Sequence, residues 1–314
     1  MPPKILVIVG PTASGKTRLA VELAHEWNGE VVSADSMQVY RRMDIGTAKP
    51  TPEEMRGIPH HMLDVADPEE DFSVARYVEL AAPCVDDILA RGKLPIVAGG
   101  TGLYLDSLLS GRTFAPFSPD GGLRARLEAR FDALGGEAML GELAAADPEA
   151  AARLHPNDRK RIVRALEVFQ QTGKTISQHN RETRALPLRY DALTLSLAFQ
   201  RREDMWARID RRVDEMMAAG LAEEVRALLD SGVPVRCTAM QAIGYKEMAA
   251  ALRGGGDVCA AAEEIKLRSR QYAKRQLTWF RRTEGAKWLF WGPEPDFEAA
   301  CRTSTKYLEE FGLV

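Results

Sequence analysis

The sequence lacks several features that mark membrane, secreted or zinc-binding proteins. No run of about 18 apolar residues could span a bilayer. The N-terminal residues lead directly into the first apolar run, so we expect no secretory signal. Only four cysteines are present and none forms a C-x-x-C pair, which argues against a zinc site or a disulfide framework. We therefore expect a cytoplasmic globular protein with reduced thiols and no membrane contact, and we further expect a monomer.

Charge is unevenly distributed along the 314 residues, although the net charge is only −3. Residues 1–150 hold 14 Lys and Arg against 23 Asp and Glu, whereas the remaining 164 residues hold 28 against 22. A basic surface for a partner, if the protein has one, is therefore expected in the second half.

Apolar, β-rich runs alternate with helical patterns over most of the chain. This alternation predicts an α/β fold, a P-loop-type and mostly parallel sheet flanked by helices on both faces. The predicted strands are residues 5–9, 30–33, 61–65, 94–98 and 193–198, with a possible sixth at 287–291.

A long stretch between the fourth and fifth runs has helical patterns and no convincing strand. It predicts a small inserted helical subdomain over residues 114–188, bounded by Pro- and Gly-containing segments. The core would then consist of residues 1–113 and 189–314, the second part ending in basic helices.

A glycine-rich loop, GPTASGKT, follows the first predicted strand and opens a helix. Glycines let the backbone N–H groups converge on a phosphate, Lys16 would reach the terminal phosphates, and the Thr17 hydroxyl would be a ligand for Mg²⁺. The loop indicates a phosphate-rich ligand without saying which compound binds or whether a phosphoryl group moves. Its candidate ligand-binding residues are Gly10, Thr12, Ala13, Ser14, Gly15, Lys16 and Thr17.

Other candidate site residues follow the predicted strands, because ligands bind beyond the C-terminal ends of parallel strands. Asp35 could hold Mg²⁺ through water, accept a proton from a nucleophile, or only cap a turn. Gln38 has the donor and acceptor needed to bind an adenine edge. Thr101 could donate to a phosphate oxygen or cap a helix. His60 and His61 favour strand packing over a metal site, because adjacent strand residues face opposite ways.

Two basic segments suggest a polyanion partner such as RNA. Residues 266–282 contain seven Lys and Arg and no acid, interleaved with aromatic residues that can stack on bases. Arg159, Lys160, Arg161 and Arg164 form a second basic patch in the predicted insertion. Either segment could also be an ordinary solvated helix face. Arg208 and Arg212, one helical turn apart, could close over the phosphate site or form a surface ladder.

Taken in order, several segments together resemble the bacterial tRNA dimethylallyltransferases, the tRNA isopentenyltransferase family. They are GPTASGKT, DSMQVYRRMDIGTAKP, GIPHHMLDVADP, AGGTGLY, HPNDRKRIVRALEV, TAMQAIGYKE and RQYAKRQLTWFRR. The resemblance covers nearly the whole chain, from Lys4 to about Trp288. The resemblance implies transfer of a dimethylallyl group from dimethylallyl diphosphate to N6 of the adenosine 3′ of the tRNA anticodon, with release of diphosphate.

The resemblance also implies roles for individual residues. Asp35 would be the general base on the adenine amine, Thr101 would assist at the diphosphate or adenine, and Mg²⁺ would bind at Thr17. The loop residues Thr12 to Thr17 and Arg212 would hold the diphosphate. The implied tRNA contacts are Asp35, Ser36, Met37, Gln38, Lys160, Arg161, Ile162, Val163, Arg164, Lys274, Arg275, Gln276, Trp279 and Arg281.

Two alternative functions share some of these features. A P-loop small-molecule kinase would have the same loop and sheet, but it would need ATP and would leave the basic aromatic helix without a purpose. A non-catalytic RNA-binding protein would have no use for an intact Lys16, Thr17 and Asp35.

Overall fold

The computed structural model describes residues 2–111, Phe114 and residues 122–314. Its described residues form two compact units. The first combines Met1–Leu109 with Arg189–Val314, and the second is Ser110–Leu188. The predicted insertion, residues 114–188, overlaps the second unit, although most of the segment FAPFSPDGG at its start lies outside the described residues.

The first unit contains a six-stranded sheet in which every described strand pair is parallel, as the sequence predicted. The spatial order is β3-β2-β4-β1-β5-β6. The strands are β1 (Lys4–Val9), β2 (Gly29–Ser33), β3 (His60–His61), β4 (Leu94–Gly99), β5 (Asp191–Phe199) and β6 (Lys287–Trp291). The possible sixth strand is thus confirmed and lies at one edge of the sheet.

Helices cover both faces of this sheet, because successive apolar residues of a strand point to opposite sides. In β1, Ile5, Val7 and Val9 join one core cluster, whereas Leu6 and Ile8 join the other. The helices of this unit are α1 (Lys16–Glu26), α2 (Pro52–Met55), α3 (Val74–Ala90), α4 (Gly102–Leu109), α9 (Arg202–Ala218), α10 (Leu221–Asp230), α11 (Tyr245–Gly254), α12 (Val258–Phe280) and α13 (Phe297–Phe311).

β3 is shorter than the run predicted at residues 61–65. Met62 and Asp64 have positive φ angles of 65° and 56°, in the left-handed region that a strand cannot accommodate. The chain therefore leaves the sheet directly after His61, and Asp64 instead pairs with Lys49 at 2.7 Å.

The second unit is helical and has its own apolar core. It consists of α5 (Gly122–Ala146), α6 (Pro148–Ala151), α7 (Arg159–Thr172) and α8 (Ile176–Arg184). α5 is interrupted at Gly135, whose φ of 80° and ψ of 164° are not helical. The core of this second unit includes the buried residues Leu127, Met139, Ile162 and Leu166.

Among the described residues, no helix has both the length and the apolar character that crossing a lipid bilayer requires.

Candidate active site at the phosphate loop

The glycine-rich loop connects β1 to α1 and turns through left-handed backbone positions. Ala13 has a φ of 60° and Gly15 a φ of 83°. Turns of this kind, next to a helix N-terminus, direct successive N–H groups into one concavity and make an anion site. The Ser14 hydroxyl is buried and has no hydrogen-bond partner among the described residues, so it remains free to donate to a phosphate oxygen.

Side chains from the C-terminal half hold this loop from outside. The Arg208 guanidinium donates Nε–H to the Ala13 carbonyl at 3.2 Å, and the Trp291 indole donates to the Ser14 carbonyl at 2.8 Å. Phe297 packs under Gly15, where a Cβ would lie only 2.7 Å from the ring. These contacts hold the loop in place, and Arg208 and Phe297 also line the cavity beside it. Trp291 and Phe297 were not among the predicted site residues.

Lys16 lies inside the loop and has an unusual pKa. Its ammonium group donates to the carbonyls of Gly10 at 3.1 Å and Pro11 at 2.7 Å. Burial lowers the pKa of Lys16 to about 8; the negative charge of Asp35 opposes this shift and the positive charge of Arg212 adds to it. An anionic ligand beside Lys16 would favour the charged form.

Asp35 follows β2 and faces the loop across a cavity. Its Oδ1 accepts N–H bonds from Met37 at 2.8 Å and from Gln38 at 3.4 Å, so the carboxylate does cap a turn. This cap uses Oδ1 alone, and Asp35 lines both cavities of the site. The turn therefore holds the carboxylate in place rather than removing it from the site.

Thr101 lies in the turn after β4 and joins it to the Asp35 loop. Its Oγ1 accepts the Ser36 N–H at 3.1 Å, and its own N–H donates to the Ala34 carbonyl at 3.1 Å. Its side chain also forms a hydrogen bond with Tyr272. Tyr272 lines both cavities, and burial raises the pKa of its phenol to about 12, with the charge of Asp35 adding to the effect.

Two adjoining cavities of different character meet at Asp35 and Tyr272. The first, about 370 Å³, is lined by the phosphate loop together with Arg208, Arg211 and Arg212. The second, about 320 Å³, has an apolar wall made by Met37, Ile209, Val213, Met216, Ile243 and Ile265. Both cavities share Asp35, Arg212 and Tyr272. The site thus fits a ligand with an anionic head and an apolar tail.

Arg212 is well placed between the two cavities. Burial lowers the pKa of its guanidinium, although Glu54, Glu215 and Asp35 oppose the shift. Arg208 is tied to the loop carbonyl, and both Arg208 and Arg211 approach Glu294, at 3.5 and 3.7 Å. Of the pair predicted from helical spacing, Arg212 is therefore the one that lines both cavities.

Two glutamines predicted to contact tRNA have their amides engaged within the protein. Gln38 donates to the Thr47 and Ala48 carbonyls at 3.3 and 3.0 Å and accepts from the Ser33 hydroxyl at 3.0 Å. Gln276 is only 6% exposed and bonds two loops of the site. In this arrangement both amides hold loops of the site together.

The predicted basic surface on α12 is exposed. Lys274, Arg275, Trp279 and Arg281 are all solvent-accessible, and Arg275 also lines the apolar cavity. The Trp279 indole donates to Asp106 at 3.2 Å and packs on Gly102. These residues lie in the same unit as the phosphate loop.

The second basic patch is divided between surface and core, because α7 is amphipathic. Lys160 and Arg161 are exposed, and Arg164 pairs with Glu167 at 2.7 Å. Ile162 and Val163 are buried at 0% and 1% exposure, so their side chains have no surface to offer RNA. A contiguous range of helical residues cannot all face a partner.

The two histidines make separate hydrogen bonds within the protein. Among the described residues, no group of three or more His, Cys, Asp or Glu side chains could hold a metal ion. His61 bonds Glu30 at 2.8 Å and His60 bonds the Ile58 carbonyl at 2.9 Å. Burial lowers the pKa of His60, which disfavours its charged form.

The parallel sheet, the phosphate loop and the paired cavities define a class of protein: a P-loop α/β protein that binds a phosphorylated ligand with an apolar portion. Comparison of the sequence with protein-family profiles gives the family. The IPP transferase profile matches residues 38–283, and the isopentenyl transferase profile matches residues 3–70. The chain belongs to the IPP transferase family.

Individual relatives are similar over nearly the whole chain. A tRNA dimethylallyltransferase of Acetivibrio thermocellus is 46% identical over 98% of this chain and 98% of its own length. That of Bacillus subtilis is 45% identical over 94% of this chain and 93% of its own length.

Solved structures agree with the fold. The tRNA isopentenylpyrophosphate transferase of Bacillus halodurans, 42% identical, superimposes with a TM-score of 0.72 over 98% of this chain and 96% of its own. A eukaryotic dimethylallyltransferase captured acting on tRNA is 31% identical, with a TM-score of 0.82 over 98% of this chain and 78% of its own.

Proposed function

We propose that this protein transfers a dimethylallyl group from dimethylallyl diphosphate to N6 of the adenosine 3′ of the anticodon in tRNA and releases diphosphate. The observation that carries the proposal is the apolar cavity that adjoins the phosphate loop, with Asp35 lining both spaces. A kinase would need a second polar acceptor site there, whereas a prenyl diphosphate needs an apolar one. Membership of the IPP transferase family supports the same activity.

The reaction breaks the bond between the allylic carbon and the diphosphate oxygen and forms a bond from that carbon to N6. Negative charge grows on the departing diphosphate, and the loop N–H groups, Lys16 and Arg212 are the groups that would stabilise it. Because Arg208 and Trp291 hold the loop in place before the reaction, its N–H groups need little reorganisation as the charge develops.

The proton leaves N6 as the carbon–nitrogen bond forms, and Asp35 is our candidate base. The lone pair of an exocyclic amine is delocalised into the ring, so removing the proton makes the nitrogen a better nucleophile. Asp35 lies at the junction of the two cavities, where the allylic carbon would lie if the diphosphate occupied the loop. Thr101, in the turn after β4 and bonded to the Ser36 N–H, would assist at the adenine or at the leaving diphosphate.

The residues present also fit a Mg²⁺ ion. Thr17 and Asp35 line the charged cavity and offer hard oxygen donors, while the described residues contain no cluster of three acidic, His or Cys side chains. Mg²⁺ is typically held by one or two protein oxygens together with phosphates and water. When bound, it would neutralise charge on the diphosphate, with the Thr17 hydroxyl as its protein ligand.

We propose that tRNA is held through the basic residues of α12 and by Lys160 and Arg161 of the second unit. Reaching an adenine in an anticodon loop requires extruding it from its stack, which costs a few kcal/mol. Contacts from Lys274, Arg275 and Arg281 to the phosphate backbone would offset that cost, and the exposed Trp279 ring can stack on a base.

The proposed function is tested with an unmodified anticodon stem-loop, Mg²⁺ and either dimethylallyl diphosphate or ATP. We expect the RNA to gain one prenyl group with dimethylallyl diphosphate and no modification with ATP, as read by mass spectrometry. A stem-loop with guanosine in place of the target adenosine is the matched control and should gain nothing. An RNA left unchanged by the prenyl donor would show the proposal to be wrong.

A further inference from the structure

Gln276 occupies an unusual place on the basic helix α12. Its neighbours Lys274 and Arg275 are exposed, but its own side chain is turned into the protein and is 6% exposed. A polar side chain that is nearly buried needs partners for both its donor and its acceptor. Two of its partners are backbone groups in loops of the candidate active site.

The amide of Gln276 bridges the phosphate loop and the turn after β4. Its Oε1 accepts the N–H of Thr12 at 2.9 Å, and its Nε2 donates to the carbonyl of Gly100 at 3.0 Å. Gly100 lies so close that a Cβ there would overlap the Gln276 amide nitrogen. Only a side chain with a donor and an acceptor at the same distance from the backbone can make both bonds.

The bridge continues to the third loop of the site. Thr101, the residue after Gly100, accepts the N–H of Ser36, which follows Asp35. The phosphate loop, the turn after β4 and the Asp35 loop are therefore joined by one series of hydrogen bonds. Gln276 makes two of these three bonds, one to the phosphate loop and one to the turn after β4.

We propose that Gln276 is a positioning residue for the diphosphate site and not a contact to RNA. It fixes the first part of the phosphate loop relative to Gly100 and Thr101, so that the loop N–H groups converge on the diphosphate while Thr101 and Asp35 face the reacting atoms. This inference rests on the proposed function for the identity of the ligand. The bridging geometry itself does not depend on it.

The first experiment compares Gln276→Met with Gln271→Met on the same helix. Methionine keeps the length of the side chain but can make neither bond, which leaves the Thr12 N–H and the Gly100 carbonyl unpaired. Gln271 is exposed, so its substitution is a matched control. Affinity for inorganic diphosphate with Mg²⁺, measured without RNA by calorimetry, should fall about tenfold in Gln276→Met, as expected for unpaired buried groups, and stay unchanged in Gln271→Met.

The same variants separate positioning from RNA contact. Affinity for the anticodon stem-loop alone should be the same in Gln276→Met and in the unmodified protein, and prenyl transfer should show a raised KM for the donor. A weakened stem-loop affinity with unchanged diphosphate affinity would overturn the proposal in favour of an RNA contact. Unchanged values for both ligands would also overturn it.

The second experiment uses Gln276→Glu, which also covers the case in which Gln276→Met does not fold. An ionised carboxylate can accept from Thr12 but cannot donate to Gly100, whereas a protonated carboxyl can do both. Diphosphate affinity of Gln276→Glu, relative to the unmodified protein at each pH, should therefore recover as the pH falls. Thermal unfolding checks that the variant is folded at each pH. If it is folded and the ratio of the two diphosphate affinities does not change with pH, the result counts against the bridge.

Failure of this inference can be distinguished from failure of the proposed function. Diphosphate binding is measured without RNA and without transfer, so it reports the bridge alone. If the unmodified protein does not prenylate the stem-loop but Gln276→Met still loses diphosphate affinity, the proposed function is wrong and the bridge stands.

Discussion

At the residue scale, Asp35 combines a fixed position with chemistry suited to a base. The N–H groups of Met37 and Gln38 hold one of its oxygens, and the residue lines the space where the charged and apolar cavities meet. An asparagine at this position could keep the turn, because its carbonyl oxygen can accept the same bonds, but it could not take a proton.

We predict that Asp35→Asn lowers kcat for prenyl transfer by about 10²- to 10⁴-fold, the usual contribution of a general base. Binding of diphosphate and of the stem-loop should change little. Single-turnover kinetics with preformed complexes measure the chemical step directly. Asp67→Asn removes an exposed carboxylate paired with Arg41 and serves as the control. A normal single-turnover rate in Asp35→Asn would exclude Asp35 as the base.

The lowered pKa of Lys16 predicts a pH-dependent affinity for diphosphate. Below about pH 8 the side chain of the free protein is charged, and above that value it is increasingly neutral. Binding of an anion favours the charged form, so at higher pH the protein must take up a proton to bind. Affinity should therefore decline as the pH rises through 8, as measured by calorimetry. The Lys16→Met variant should lack this decline in affinity. A decline of equal size in the variant would show that the pH dependence comes from titration of the diphosphate and not of Lys16.

Some residue roles could be predicted from the sequence and others could not. The phosphate loop consists of consecutive residues of specific types. The roles of Lys16 and Thr17 could therefore be predicted from their spacing in the sequence alone. The bonds of Gln276 and Trp291 to that loop join residues more than 260 positions apart, which no spacing reveals. Gln38 has the chemistry to bind adenine, but only the structure shows that its amide is used by Thr47 and Ala48.

At the element scale, the loop of residues 44–48 is a wall shared by the two cavities. Thr47 and Ala48 line both, and Ala48 has a strained φ of 48°. The carboxylate of Glu224 on α10 accepts the N–H groups of Asp44, Ile45 and Gly46, at 2.9, 2.8 and 3.2 Å. It also accepts the hydroxyl of the buried Tyr245. Glu224 therefore fixes a wall of the site without lining either cavity.

We predict that Glu224→Gln destabilises the protein by about 1–3 kcal/mol, because the amide nitrogen cannot accept the bonds that the carboxylate oxygen accepted. The KM for dimethylallyl diphosphate should rise as the wall loosens. Urea unfolding and steady-state kinetics measure the two effects. The adjacent, exposed Glu223 gives the matched control, Glu223→Gln. Equal stability and KM in the two variants would contradict the role of Glu224.

At the scale of the whole molecule, the sheet separates the candidate site from a buried charge cluster. The site lies beyond the C-terminal ends of the strands, whereas Glu30 lies near the start of β2. The Glu30 carboxylate, 3% exposed, is bound by Arg91, by Lys93 at 2.8 Å and by His61 at 2.8 Å. These bonds join β2 to β3 and to the turn that precedes β4. The apolar runs predicted the strands, but no spacing in the sequence indicates that these distant charges converge.

This cluster makes the stability of the protein depend on pH. The Arg91 guanidinium, together with Lys93 and His61, holds the pKa of Glu30 well below its ordinary value despite burial. As the pH is lowered, Glu30 of the unfolded chain is therefore protonated at a higher pH than Glu30 of the folded protein. The stabilisation is fully present above the unfolded pKa, about 4.3, and is lost as the pH falls below it.

We predict that Glu30→Gln lowers the free energy of unfolding by on the order of 3 kcal/mol at neutral pH, because it leaves the partners of a buried charge unpaired. The difference in free energy of unfolding between the variant and the unsubstituted protein should shrink as the pH falls below about 4.3. Below that pH the ionised Glu30 contributes progressively less stabilisation. Urea unfolding over a pH series measures both. Asp87→Asn removes the exposed partner of the same Arg91 and should cost far less. The cluster lies away from the strand ends that hold the candidate site. Prenyl transfer by the folded Glu30→Gln variant should therefore proceed at the normal kcat. A lowered kcat would show that the two ends of the sheet are coupled.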